Sequence, residues 1–280
     1  MSDNLLIIDG YDQTGRKNLT TARCTLAGTL YENMIRRFLP DANITILHPT
    51  DPQEAIPAGA ALTGFDAALW TGSSLTIYHT TPQVRRQVDL ARALYKNGVP
   101  SFGSCWALQI AALAAGGSCR LNPNGREFGI ARKIALTDAG RAHPLYRGKS
   151  PVFDGFTSHF DDVEQLPDGA TLLAGNKITP IQAAIVEKDG TPFWAVQYHP
   201  EYDLSELAAL TRFRMDGLVE GGYFSSPQAA NDFITDLETL HADPTRKDIA
   251  WRLGIDQDVM DENIRTLEVK NWIESVLRQS

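Results

Sequence analysis

Cysteine is scarce in this chain, and basic charge is in deficit. Three of the 280 residues are cysteines, Cys24, Cys105 and Cys119, odd in number and unclustered. That excludes a disulfide framework and a four-cysteine zinc site. The 26 Lys and Arg side chains are outnumbered by 34 Asp and Glu, for a formal net charge of -8, and no basic tract offsets it. A phosphate backbone is a poor partner for such a chain, so no nucleic acid is expected. No stretch reaches the ~18 consecutive apolar residues of a membrane span. The apolar run nearest the start, Leu5-Leu6-Ile7-Ile8, is far shorter than the roughly 7–15 residues of a secretory signal. No membrane partner and a cytoplasmic location are the expectation. Internal repeats, low-complexity segments and a Gly-x-x-x-x-Gly-Lys phosphate loop are missing as well.

What the chain does have is apolar content for a core, 43% against 21% charged. Strand-like and helix-like segments alternate through the first half. Leu5-Leu6-Ile7-Ile8, Ile44-Thr45-Ile46-Leu47, Ala67-Ala68-Leu69-Trp70 and Val99–Phe102 read as buried strands. Between them, Leu26, Leu30, Met34 and Phe38 recur every four residues up to Pro40. A second helix opens at Pro82 and carries Val84, Val88, Ala91 and Tyr95 on one face, and a third runs from Trp106 to Ala115. Such alternation implies α/β architecture with an open, mostly parallel central sheet flanked by helices. The middle third changes character. Short β-like pieces at Ala131–Leu136, Leu172–Ala174, Ala183–Glu187 and Phe193–Tyr198 predict antiparallel strands added to, or packed beside, that sheet. After Tyr202 the pattern is helical. Ser226-Pro227 is a cap followed by a proline at the first helical position, and Val269, Trp272, Ile273 and Val276 make a last amphipathic face, read as core.

Three constellations carry chemistry. In Phe102-Gly103-Ser104-Cys105-Trp106 a strand ends at a glycine and a cysteine opens a helix, the elbow that lifts a nucleophile above an open sheet. A helix N-terminus favours the thiolate and aims backbone N–H groups at an oxyanion beside the sulfur. Cys24 and Cys119 lack that setting and read as structural. In Tyr198-His199-Pro200-Glu201 the proline pushes His199 into an extended conformation, so that Glu201, two residues on, projects beside it. A carboxylate on one ring nitrogen leaves the other free for the thiol proton. Third, Trp70-Thr71-Gly72-Ser73-Ser74 is a strand end in small residues, able to offer an unpaired N–H beside the amide of Trp106. His159 with Asp161 and Asp162 has no second histidine at metal-site spacing, so neither a metal nor any other cofactor is expected.

Together with Asn122-Pro123-Asn124-Gly125-Arg126-Glu127-Phe128-Gly129 and Ser158-His159-Phe160-Asp161-Asp162-Val163, these motifs resemble the class I (triad) glutamine amidotransferases over roughly residues 4–218. The nearest likeness is to stand-alone proteins similar to the amidotransferase domain of GMP synthase. The resemblance implies a flavodoxin-like catalytic domain at 1–218 and a helical extension at 219–280 packed on it. It implies Cys105 as nucleophile, His199 as base and Glu201 as its orienter. The amides of Gly72 or Ser73 and of Trp106 are the implied oxyanion donors, with Gln109, Ser158, Phe160 and Asp161 around the glutamyl group. One departure is Ala107, where the family usually has glycine. A second individual trait is Trp106, expected to shape the leaving-group side of the pocket.

The implied reaction is cysteine-dependent hydrolysis of a γ-glutamyl amide, either a γ-glutamyl amine or glutamine, through a glutamyl-thioester. Residues 219–280 are too few for an ATP-using synthase, which favours a free-standing hydrolase. The tail, including Ala250–Asp256, also resembles those of bacterial γ-glutamyl-amine hydrolases. The alternatives are a glutaminase subunit feeding ammonia to a separate synthase and a catalytically inactive regulatory module. A homo-oligomer stays open.

Overall fold

The computed structural model describes residues 3–278. Its strands are β1 (Asn4–Ile8), β2 (Asn43–Leu47), β3 (Ala67–Trp70), β4 (Ser101–Ser104), β5 (Ser118–Leu121), β6 (Glu127–Leu136), β7 (Val152–His159), β8 (Asp161–Gln165), β9 (Thr171–Gly175), β10 (Ala183–Lys188) and β11 (Thr191–Val196). Among the described residues, nine strands join in the order β2-β1-β3-β4-β11-β10-β9-β6-β7, while β5 and β8 pair apart. The first five in that order are mutually parallel and the remaining four antiparallel. The antiparallel strands are thus added to the edge of the parallel sheet.

The parallel strands are buried on both faces, which is why they read as unbroken apolar runs. Leu5 and Ile7 point to one face and Leu6 and Ile8 to the other, all fully buried. The first face is covered by α2 (Ala27–Arg36) through Tyr31, Met34 and Ile35. The second is covered by α3 (Pro82–Lys96) and α4 (Trp106–Ala115). Thr81 caps α3 by accepting from Val84 N, and Pro82 takes the first helical position, where its missing N–H costs nothing. A helix that the apolar spacing gives no sign of, α1 (Gln13–Thr21), follows β1. It contains a glycine and threonines, poor helix formers, and is started by Asp12, which accepts from Gly15 N at 2.7 Å.

Two expected boundaries move. The fourth strand begins at Ser101, not Val99, and runs through Gly103 to Ser104. The last strand stops at Val196, not Tyr198, because β10 ends opposite it and the chain then turns toward β7, where His199 N donates to Phe156 O at 2.7 Å.

The short α5 (Asp138–Ala142) lies between β6 and β7, and after the last strand come α6 (Leu204–Phe213), α7 (Met215–Glu220), α8 (Pro227–Ala242) and α9 (Lys247–Leu253). Ser226 caps α8 by accepting from Ala229 N. Leu207 and Leu210 of α6 meet Ile234, Leu237 and Leu240 of α8 in a third apolar cluster. Two short helices, α10 (Gln257–Met260) and α11 (Glu262–Arg265), lead to α12 (Leu267–Trp272). Val269, Trp272 and Ile273 lie on the same sheet face as α2. The Trp272 ring sits 5.7 Å from that of Phe102 in β4. Nearby, fully buried Glu268 accepts from Tyr198 Oη at 2.6 Å and pairs with Lys149 Nζ at 3.0 Å.

Candidate active site

The site stands at the carboxyl ends of three adjacent parallel strands, β3, β4 and β11, where open α/β sheets bind ligands. Cys105, between β4 and α4, has φ 56° and ψ -100°, a region that side-chain-bearing residues seldom occupy. Its amide donates to Val196 O at 2.8 Å, pinning the turn to β11. The turn is tight enough that a methyl at Gly103 would lie 2.4 Å from both Ala107 Cβ and Trp70 O. The Ala107 methyl is therefore accommodated by the bare Cα of Gly103, and the departure at Ala107 leaves the elbow formed.

His199 is buried and its Nδ1 lies 2.7 Å from Glu201 Oε1. The same oxygen accepts from Ser104 Oγ at 2.9 Å, and Ser104 Oγ accepts from Tyr31 Oη at 2.7 Å. Tyr202 stacks flat on the imidazole, centroids 4.0 Å apart and planes 3° from parallel. With Nδ1 so engaged, Nε2 is left toward the thiol. Burial pulls the His199 pKa down, but the charges of Glu201 and Cys105 and their hydrogen bonds outweigh it and raise it to about 9. The imidazole is thereby held as an imidazolium beside the Cys105 sulfur at neutral pH.

Gly72 abuts this pair: a methyl built on it would lie 3.2 Å from His199 Cε1 and 3.9 Å from Cys105 Cβ. Thr71 Oγ1 donates to Gly72 O at 2.8 Å and accepts from Gly10 N at 3.0 Å. In a trans peptide the next N–H points opposite to the carbonyl, so anchoring Gly72 O directs the Ser73 amide away from Thr71. Ser73 Oγ donates to Gly10 O at 2.8 Å, which fixes the other side of the loop. The Trp106 amide opens α4, where N–H groups have no intrahelical acceptor. The Trp106 ring is buried against Gly10, with Nε1 donating to Gln87 Oε1 at 2.8 Å, so it braces the β1 and β3 loops.

A cavity of about 510 Å³ opens over Cys105 and is lined by Ser73, Trp106, Gln109, Ser158, Phe160 and Asp161 among others. Gln109, one turn into α4, donates to Asp161 O at 3.1 Å, and His159 Nδ1 lies 3.0 Å from the same carbonyl. His159 Nε2 faces Glu127 Oε2 at 3.2 Å. Burial opposes ionisation of Glu127, yet bonds from His159, Asn176 and Gln182 hold it below its ordinary pKa. His159 is thus a strut of the 158–161 segment. Among the described residues no group of three or more His, Cys, Asp or Glu side chains is arranged to hold a metal. The Asp161 carboxylate accepts from Tyr78 Oη at 3.0 Å, and the Phe160 ring is half exposed beneath Arg126. Ser158 Oγ accepts from Arg214. Sequence reasoning missed Tyr31, Tyr78, Tyr202 and Arg214. Tyr31 and Arg214 reach the site from distant parts of the chain and carry no local signature, whereas Tyr202 and Tyr78 stand just beyond the motifs that end at Glu201 and Ser74, and Ser104 could have been suspected from its place beside Cys105.

Residues 30–214 match the family described as glutamine amidotransferase class-I. A γ-glutamyl-L-1-hydroxyisopropylamide hydrolase from Pseudomonas sp. is 29% identical over 98% of this chain and 92% of its own length. The GMP synthase of Nitrosomonas eutropha is 32% identical over 70% of this chain, which spans 37% of that enzyme. Among solved structures, a glutamine amidotransferase from Thermotoga maritima superposes with a TM-score of 0.65 at 17% identity, over 97% of this chain and 98% of that one. One from Methylobacillus flagellatus gives 0.62 at 16%, over 97% and 95%. No helix among the described residues is long and apolar enough to cross a membrane.

Proposed function

Because the chain belongs to the class I glutamine amidotransferase family, we propose that it hydrolyses a γ-glutamyl amide at Cys105, releasing glutamate and an amine. The observation that carries this reading is the His199 imidazolium held between the Glu201 carboxylate and the Cys105 sulfur. The thiolate attacks the γ-carbonyl carbon, and the resulting oxyanion is met by the amides of Ser73, with Gly72 shaping its approach, and Trp106. Each such donor is worth roughly 3–4 kcal/mol in comparable enzymes. As the C–N bond breaks, His199 gives its proton to the departing nitrogen. Neutral His199 then deprotonates a water that hydrolyses the thioester and restores the thiol. Glu201 stabilises the imidazolium, and Gln109, Ser158, Phe160 and Asp161 hold the glutamyl end. Residues 1–218 form the catalytic unit and 219–280 its extension.

The near full-length similarity to a γ-glutamyl amide hydrolase favours a free-standing enzyme acting on γ-glutamyl amines. The GMP synthase relatives favour the second reading, a glutaminase that serves a separate synthase. The deciding assay is glutamate release by the isolated chain from glutamine and from γ-glutamyl amines, γ-glutamyl hydroxyisopropylamide included, with Cys105→Ala and Cys105→Ser as controls. Fast turnover of the amines with glutamine poor supports the first reading, and glutaminase activity that needs an added synthase supports the second. Full activity in Cys105→Ala would refute both. An inactive regulatory module predicts loss of a triad side chain; the sequence retains all three, and the 2.7 Å approach of His199 Nδ1 to Glu201 Oε1 supports the catalytic reading.

A further inference from the structure

The wall of the cavity holds two arginines that the triad chemistry does not use. Arg214, at the end of α6, donates to Ser158 Oγ and hydrogen-bonds the Tyr11 hydroxyl. Its charge also bears on Tyr202, the ring stacked on His199. Arg126 lies between two aromatic rings, its Cζ 4.9 Å from the Phe128 centroid and 4.4 Å from that of Phe160. Its Nε is buried without a hydrogen-bond partner. Both guanidinium groups line the same cavity as Cys105. Neither forms an ion pair among the described residues. Burial, and after it the like charge of Arg214, depresses the Arg126 pKa to about 10, and the other titratable group that bears on it is the Tyr223 hydroxyl. The acids of the cavity do not pair with them: the Asp161 carboxylate accepts from Tyr78, and Asp216 is exposed.

Two partly buried like charges without a counter-ion repel, and the arrangement costs stability unless an anion joins them. The planar donors of arginine suit a carboxylate, which can accept from both guanidinium groups at once. Gln109, Ser158, Phe160 and Asp161 mark the end of the cavity assigned above to the glutamyl group, and the arginines adjoin that end where Arg214 meets Ser158 and Arg126 covers Phe160. A scissile carbonyl on Cys105 then directs its nitrogen toward His199 and, beyond it, toward Tyr202, Tyr11 and Arg214. At about 510 Å³ the cavity also falls among sites that bury a whole small molecule, roughly 300–1,000 Å³. Ammonia would leave most of it unused.

We propose that Arg126 and Arg214 form a carboxylate subsite for the leaving amine, so that the preferred substrates are γ-glutamyl amides of amino acids. This rests on the γ-glutamyl hydrolase reading above. The reaction balances as γ-glutamyl-NH-R-carboxylate plus water giving glutamate and the amino carboxylate, with no co-reactant.

The test compares isosteric pairs that differ only in the distal charge: γ-glutamylglycine against γ-glutamylglycinamide, and γ-glutamyl-β-alanine against γ-glutamyl-β-alaninamide. For the wild-type chain, kcat/KM is expected to favour the carboxylate of at least one pair by roughly ten- to a hundredfold, the range of charge-assisted hydrogen bonds. Arg126→Gln and Arg214→Gln should each collapse that ratio toward one, and Arg126→Lys should restore part of it. The ratio is internal to each protein sample, so a variant that folds poorly still reports it. Equal turnover of acid and amide by the wild type overturns the proposal. So does an equal fall on both substrates in the arginine variants, which would place the arginines on the shared glutamyl half. Turnover of none of the four, nor of any γ-glutamyl alkylamide or glutamine, would refute the hydrolase reading itself.

Discussion

Replacing Glu201 with glutamine isolates the charge on His199 from its geometry. Glu201 Oε1 accepts from both His199 Nδ1 and Ser104 Oγ, while Oε2 is buried and without a partner. A glutamine can therefore place its carbonyl oxygen at the Oε1 position and keep both bonds and the imidazole tautomer. Only the negative charge disappears. In the wild type the His199 pKa rises from 6.5 to about 9 although burial opposes the rise. That upward shift is worth about 3 kcal/mol, a minimum for the combined pull of Glu201 and Cys105. If the Glu201 charge supplies most of it, burial returns the pKa toward or below 6.5 and the imidazolium is lost at neutral pH. The expected cost is a fall in kcat of about a hundredfold or more at pH 7.5, with KM little changed. The sign of the pH effect follows. The wild type loses activity as pH rises through about 9, where His199 gives up the proton needed by the departing nitrogen, and Glu201→Gln moves that alkaline limb to lower pH. A glutamate-release assay from pH 5.5 to 10 reads both quantities. A loss smaller than tenfold with the alkaline limb unmoved would refute the electrostatic role given to Glu201.

Three further outcomes test the supporting structure. Gly103→Ala puts a methyl 2.4 Å from Ala107 Cβ and from Trp70 O, and should destabilise by about 3 kcal/mol or more in urea melts. Adding Ala107→Gly should recover only part of that, because the clash with the Trp70 carbonyl remains; full recovery would show the clash was misjudged. Thr71→Val removes the bond to the Gly72 carbonyl and the Gly10 N–H bond that anchors the Thr71 hydroxyl, and should lower kcat roughly ten- to a hundredfold at constant KM, part of the loss of a whole oxyanion donor. Unaltered kcat would mean that the Ser73 amide is held by other contacts. Glu268→Gln leaves Lys149 charged and buried, which should cost about 3–5 kcal/mol of stability by denaturant unfolding, and a change under 1 kcal/mol would contradict the buried pair.

The parts of the fold legible in the sequence were those set by local rules. Leu5–Ile8 is apolar at every position because both sides of β1 are buried, and Ser226-Pro227 caps α8 through contacts within one turn. The elbow was legible for the same reason, since Gly103, Cys105 and the start of α4 are consecutive. The strand β11 was read two residues too long because Gln197 and Tyr198 are as compatible with a strand as Val196. What stops it is the disappearance of its neighbour β10, a tertiary fact. The chain Tyr31–Ser104–Glu201 and the bond from Arg214 to Ser158 join residues far apart in sequence, and no periodicity encodes such meetings. The bond that orients the Trp106 ring was not legible either, because its identity gives its size while its direction depends on Gln87 of α3.

The packing of Trp272 against Phe102 also fixes an order of events during synthesis. The sheet face bearing Leu5, Ile7 and Phe102 leaves the ribosome early, but the side chains that complete its cover, Val269, Trp272 and Ile273, are among the last of the core to emerge. At ~5–20 residues per second the nascent chain carries that uncovered apolar face for roughly 10–30 s after Phe102 is made. Until then Tyr198, beside His199, also lacks its Glu268 partner, so the bonds around the catalytic base are completed only after that helix is made. The nucleophile elbow is synthesised early, and competence for chemistry comes late.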